Sequence, residues 1–278
     1  MYKIAYNANG LRTIPLEDGI NAVAEAGYAG IELSLHPAHL DPFSFTPADA
    51  ERLRKVIERA GITACALATG ADDLLSEDRF EPSLIHPTED GRARRLDVMR
   101  RAMDIATWLQ IPVMSFASGL RKPEVSTTEA DQLLREGIER CLDIGADVVL
   151  AMEPEPGFHY ESNKQVAQLI DAVGDDRLRL NQDLGHCRVV EDHYLESVER
   201  HLAVTSHIHV EDIKGRVHYH EIPGDGDIDF DGFGAALIRG GYDGFLSVEL
   251  YNHADVYSEA LQRSYRHLTG HLAATAGT

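Results

Sequence analysis

The chain alternates between two kinds of segment. From Lys3 to Leu250, short runs rich in β-branched and apolar residues are separated by longer stretches whose apolar positions recur every three or four residues. That is the pattern of parallel strands joined by crossover helices. Eight runs read as strands: KIAYN, GIELSL, ITACALAT, IPVMSFAS, DVVLAMEP, LRLNQDLG, SHIHVED and FLSVEL. The helical stretches between them include PLEDGINAVAEAGY, ADAERLRKVIERAG, ARRLDVMRRAMDIATWLQ and TTEADQLLREGIERCLDIG. Several close on glycine, the residue that most readily takes the left-handed backbone ending a helix. Eight βα repeats in about 250 residues predict an α/β fold of the (β/α)8 TIM-barrel type. With no Pro/Gly/Ser-rich linker and no change of composition, residues 1–278 are expected to form one domain. A doubly wound sheet is the competing architecture, but the first strand runs into NANGLR rather than a GxGxxG turn.

In a TIM barrel the chemistry sits at the C-terminal strand ends, so the polar residues there matter most. Strand five ends in Glu153 and Glu155, and strand six in Asp183 and His186 of QDLGH. Strand seven carries His207, His209, Glu211 and Asp212, and strand eight ends in Glu249. An unpaired buried charge costs several kcal/mol, so carboxylates converging from neighbouring strands need a cation between them. Alternation of side chains makes Glu153, past Leu150 and Met152, the first lumen-facing acid of its strand. Glu153, Asp183, His209 and Glu249 then form one candidate metal-ligand set. Three carboxylates and one imidazole make a hard, oxygen-rich site that suits Mn²⁺ first, with Mg²⁺, Co²⁺ or Zn²⁺ as alternatives.

Composition excludes some partners. A formal charge of −20, from 26 Lys and Arg against 46 Asp and Glu, repels phosphate backbones, and no basic stripe offsets it, so nucleic acid is not expected to bind. No stretch of about 18 apolar residues argues for a membrane span, and no basic leader precedes the first strand. A cytoplasmic protein is the expectation. Three scattered cysteines, Cys65, Cys141 and Cys187, show no CxxC spacing and read as small buried hydrophobes.

GYAGIELS, AMEPEPG, NQDLGH, HIHVEDIKGRVHYHEIPGDGDIDF and GFLSVEL together resemble the xylose-isomerase-like barrels. That family includes sugar isomerases, ketose 3-epimerases, inosose dehydratases and apurinic endonucleases. The resemblance spans nearly the whole chain. It implies one metal held by Glu153, Asp183, His209 and Glu249, the set reached from the strand ends. Xylose isomerase has a similar EPKP turn whose lysine contacts substrate. Here Glu155 stands in that place, which removes a cation that would polarise a carbonyl and leaves Glu155 to hydrogen-bond sugar hydroxyls or orient its loop.

The implied mechanism is proton transfer beside a carbonyl on a small carbohydrate or cyclitol, with Glu153 and Glu249 as acid and base. His186 resembles the family histidine that hydrogen-bonds the substrate oxygen beside the metal. Arg216, and less so Lys214, are candidates to bind an anionic or hydroxylated substrate end. His220 stands where the apurinic endonucleases carry an additional metal histidine and is a substrate or second-metal candidate. His36 and Asn7 are candidate pocket residues, the loop from Gly70 to Gly91 a candidate lid, and Trp108 a core residue. The family resemblance also suggests a homo-oligomer. A metal-dependent lyase or dehydratase acting on a keto-inositol or 3-keto-glycoside is the first alternative, because elimination follows when a leaving group lies β to the carbanion. A phosphodiesterase of the nuclease branch is disfavoured by the net charge and by third and fourth strands ending in ATG and ASG. Against a non-catalytic binding barrel stands the complete ligand set.

Overall fold

In the computed structural model, which describes residues 2–70, 74–76, 80–145 and 147–274, each expected strand forms. They are β1 (Lys3–Asn7), β2 (Gly30–Ser34), β3 (Thr63–Ala68), β4 (Val113–Ala117), β5 (Val149–Glu153), β6 (Leu178–Asp183), β7 (Thr205–Val210) and β8 (Phe245–Val248). All pair in parallel with their sequence neighbours, and β8 returns to β1 to close the barrel in the order β1 to β8. Between them run α1 (Leu16–Glu25), α2 (Pro47–Ala60), α3 (Glu89–Leu109), α4 (Thr127–Leu142), α5 (Asn163–Val173), α6 (Leu184–Val190), α7 (Tyr194–His201) and α8 (Phe230–Arg239); α9 (Tyr257–Ala274) follows β8. The chain is a (β/α)8 TIM barrel.

Local chemistry sets the helix ends. Thr46 caps α2 by accepting from the Asp49 backbone, Asp49 bonds back, and Pro47 opens the helix. Gly61 closes it with φ of 71°, a conformation that costs glycine no Cβ clash. Ser162 and Gln165 repeat the capping box on α5.

Side-chain alternation divides the barrel into two regions. Residues such as Ile31, Leu33, Leu150, Met152, Ile208 and Val210 point outward and join the large core under the helices. The inward residues Ala5, Cys65, Ala66, Val113 and Ala151 form a small apolar floor. Above that floor the lumen becomes polar, with Asn7, Glu32, Ser115, Asn181, His207, His209 and Ser247 all buried. Register shifts fall between Ile31 and Glu32 and between Leu180 and Asn181, where the partner strands carry one extra residue, Cys65 of β3 and Ser206 of β7. The three cysteines are buried and unpaired by disulfides, and Trp108 packs half-buried against the core. Among the described residues, no helix is long and apolar enough to cross a membrane.

Candidate metal centre

A cavity of about 300 Å³ opens at the C-terminal strand ends, lined by Glu153, Glu155, His186, His209, His220 and Glu249 among others. Its volume is at the small end of ligand pockets. Glu153 ends β5, Asp183 ends β6, His209 lies near the end of β7, and Glu249 follows β8. Ligand atoms of these four residues all lie within 4.8 Å of one another. Atoms that share one ion at bond lengths of roughly 2.1 Å sit about 3–4 Å apart, so small rotations suffice to close the set.

His209 is the hub. Its Nδ1 lies 2.9 Å from Glu153 Oε1, 3.6 Å from Glu249 Oε2 and 4.0 Å from Asp183 Oδ2. The ring is fully buried, which alone would lower its pKa; Glu153, Glu32 and Glu249 outweigh burial and hold it well above the usual imidazole value. Glu249 is oriented from the end of β1 and the turn after it: Asn7 Nδ2 donates to its Oε1 at 3.3 Å and Asn9 Nδ2 at 2.7 Å. Asp183 also caps α6, its Oδ1 accepting from the His186 backbone at 2.7 Å. Burial pushes the Asp183 carboxyl up, but His186, His220 and His209 hold it well below the carboxylate range. Its Oδ2 is buried and takes no N–H donor, with only the Glu211 carboxyl hydrogen-bonded to Asp183 beside it. A buried carboxylate held among other acids is costly without a cation. Together with two further carboxylates and an imidazole, it makes a donor set that fits a divalent cation.

A ring of titratable groups surrounds this set. His186 Nδ1 donates to the Pro154 carbonyl at 3.0 Å, and its Nε2 lies 3.0 Å from His218 Nε2. Burial would lower His186, yet Asp183, Glu155, Glu153 and Glu249 raise it to about 9. Glu155 is pushed up to about 8, chiefly by burial. His220 Nδ1 donates to the Glu249 carbonyl at 2.9 Å, leaving its buried Nε2 without a partner. Burial lowers this ring.

Three candidates do not reach the pocket. Arg216 does not line it: Nε donates to the Val189 carbonyl at 3.0 Å and Nη1 to Asp192 at 2.7 Å, so the arginine ties its loop to the end of α6. His36 accepts from the Ala38 backbone at 3.1 Å and packs edge-on against His39, outside the lining. Lys214 is exposed and also outside the lining. Asn7, by contrast, arrives as a support of Glu249. Of the candidate lid, residues 71–73 and 77–79 lie outside the described residues, while Gly70, Phe80 and Ser83 line the cavity.

Strand seven distributes its polar residues over several levels. His207 lies below His209 and bonds Glu32. Asp212 staples the following loop, accepting from the backbones of Ile213, Gly224 and Ile228 at 2.9, 2.8 and 3.0 Å. Glu211 lies buried against Asp183 and His220, its carboxyl pushed well above the usual carboxylate value by burial and then by the charge of Asp183. Asn9, Glu32 and His218 are site residues that sequence reasoning did not single out. The signal for Glu32 was an acid in the middle of the buried run GIELS, and for Asn9 the polar NAN directly after a strand.

The model of the family described as "Xylose isomerase-like TIM barrel" matches residues 20–268. An inosose dehydratase of Geobacillus thermodenitrificans is 23% identical over 260 residues, covering 85% of this chain and 82% of that protein. A ketose 3-epimerase of Arthrobacter globiformis is 23% identical over 258 residues, covering 90% and 81%. Among solved structures, D-psicose 3-epimerase from Clostridium cellulolyticum H10, crystallised with D-tagatose, superposes with a TM-score of 0.80 at 15% identity, covering 97% of this chain and 99% of the other. With eight strands closed in sequence order and this match over most of its length, the chain belongs to the xylose isomerase-like TIM-barrel family.

Proposed function

We propose that the chain is a divalent-metal-dependent isomerase or epimerase of a small polyhydroxylated carbonyl compound, a sugar or cyclitol. The observation that carries this reading is the meeting of Glu153, Asp183, His209 and Glu249 at the mouth of the barrel, with the cavity beside them. These four would hold the ion, Mn²⁺ in the first place, given three oxygen ligands to one nitrogen. When bound, the ion supplies a Lewis acid that stabilises negative charge on a carbonyl oxygen.

The protein's own groups do the rest. Glu153 and Glu249 reach the cavity from β5 and β8 and serve as the proton-transfer pair: one removes the C–H proton beside the carbonyl, giving an enediolate, and the other returns a proton. Return to the same carbon from the opposite face inverts it; return to the neighbouring carbon, with the hydroxyl proton passing from one oxygen to the other, moves the carbonyl. Burial raises the Glu153 carboxyl above its ordinary value, which makes it a stronger base when ionised. His186, anchored on the Pro154 carbonyl, and Glu155 present hydrogen-bonding groups to substrate hydroxyls.

The inosose dehydratase relative favours a second reading, elimination of water after the same proton abstraction. The test is incubation of the Mn²⁺-loaded protein with ketoses, keto-inositols and keto-glycosides in deuterated water. Deuterium at the carbon beside the carbonyl without loss of water supports the isomerase or epimerase. An enone chromophore supports the lyase, and no label with any of them contradicts both.

A further inference from the structure

The geometry points to Glu32 as a positioning residue that fixes the tautomer of His209, so that Nδ1 is the nitrogen turned to the metal. The inference rests on the metal centre proposed above and concerns a residue that is not one of its ligands. Glu32 lies in the middle of β2, fully buried, below the four ligand residues. Its carboxylate gathers groups from strands not adjacent to its own. Ser115 of β4 donates to Oε1 at 3.3 Å, and His207 Nε2 of β7 lies 3.0 Å from Oε2. His209 Nε2 lies 3.0 Å from Oε1 and 2.9 Å from Oε2.

A lone pair on Nε2 would face two carboxylate oxygens, so Nε2 carries a proton. In the neutral ring Nδ1 then holds the lone pair, on the edge that faces Glu153, Glu249 and Asp183. Asn181 cannot set the opposite tautomer, because its Nδ2 is 3.4 Å from both ring nitrogens and therefore lies over the ring face. Nor does Glu32 read as a ligand. Its separations from the rings are hydrogen-bond lengths, and two imidazoles and a hydroxyl already occupy its oxygens. A carboxylate on the far nitrogen of a ligating histidine fixes ring orientation, and its loss typically weakens metal binding by 10–100-fold.

The first test uses the unaltered protein, ¹⁵N-labelled at histidine, loaded with diamagnetic Zn²⁺ or Mg²⁺ and compared by nitrogen-detected NMR with His209→Gln to assign the ring. A proton on Nε2 with the ion on Nδ1 is the expected spectrum; a proton on Nδ1 with the ion on Nε2 overturns the assignment. The second measurement is Mn²⁺ affinity by chelator competition. Glu32→Gln is expected to bind 10–100-fold more weakly, and His207→Gln, which leaves the contact between Glu32 and His209, within about threefold of the unaltered protein. Equal weakening in both variants, or none in Glu32→Gln, overturns the positioning role in favour of general lumen packing. If Glu32→Gln does not fold, the spectrum of the unaltered protein decides. An unaltered protein that takes up no ion contradicts the metal centre and this inference together, whereas ion uptake through the other nitrogen contradicts only this inference.

Discussion

His209 Nδ1 and Glu153 Oε1 are 2.9 Å apart, a hydrogen-bond distance, on the ring edge opposite to the one held by Glu32. With carboxylates at both nitrogens, the metal-free ring holds both protons, and one of them sits where an ion would bind. Ion uptake therefore has to displace it. At pH 7 about one proton or more should be released for each Mn²⁺ bound, and the apparent affinity should fall about tenfold for each unit of lower pH. Calorimetric titration in buffers of different ionisation enthalpy measures the release. Asp183→Ala should abolish ion uptake in the same instrument. Binding without proton release would contradict the protonated His209.

The surrounding groups make the metal-free protein sensitive to alkali. His186 is raised from 6.5 to about 9, so the stability it contributes is fully present below 6.5 and lost as pH rises through about 9. Glu155 is raised from 4.5 to about 8, so its neutral form favours the fold and that contribution is lost over the rise to about 8. The two act in the same direction. In the presence of chelator, Tm should fall between pH 6.5 and 9, and the gain in Tm on adding Mn²⁺ should grow over the same range. A flat or rising Tm in chelator would contradict it.

Gly185, beside His186 in the first turn of α6, is a residue whose replacement should be felt at the site. A Cβ there would fall 1.6 Å from Glu211 Oε1 and 2.8 Å from Ile213 Cγ1. In a helix, alanine is otherwise favoured over glycine by about 1 kcal/mol. Overpacking in a closed interior costs about 1–3 kcal/mol and should prevail here. Gly185→Ala is expected to lower stability in denaturant titration and to weaken Mn²⁺ binding by pushing Glu211 onto Asp183. A variant more stable than the parent would show that Glu211 has room to move.

The barrel was legible because each strand is a short apolar run and the helix ends carry their own stop signals, such as Gly61. The four clustered residues were legible because alternation and the C-terminal strand ends together select few positions. Glu32 was not. Its histidine partners are 175 and 177 residues away, and no spacing in sequence tells at which level of the lumen two inward residues meet. Arg216 shows the opposite failure: residue type suggested a substrate contact, but the path of the loop, pinned by Asp212 and by the antiparallel bridge of Asp212 with Glu221, carries the guanidinium to Asp192. The bridge of Leu35 with Leu40 belongs to a local turn about His36, and the ring bonds within that turn.

The most direct test of the two-glutamate account is exchange in deuterated water by Glu153→Gln and Glu249→Gln, each loaded with Mn²⁺ and given both epimers of a turned-over substrate. The amide keeps one oxygen for the ion, so both variants should retain the metal, while each loses on the order of 100-fold or more in epimerisation rate. Each should still wash deuterium into the epimer whose proton faces the surviving glutamate and form almost none of the other, with the favoured epimer reversed between the two variants. Near-normal turnover in both directions by either variant would contradict the account, leaving that glutamate as a ligand only.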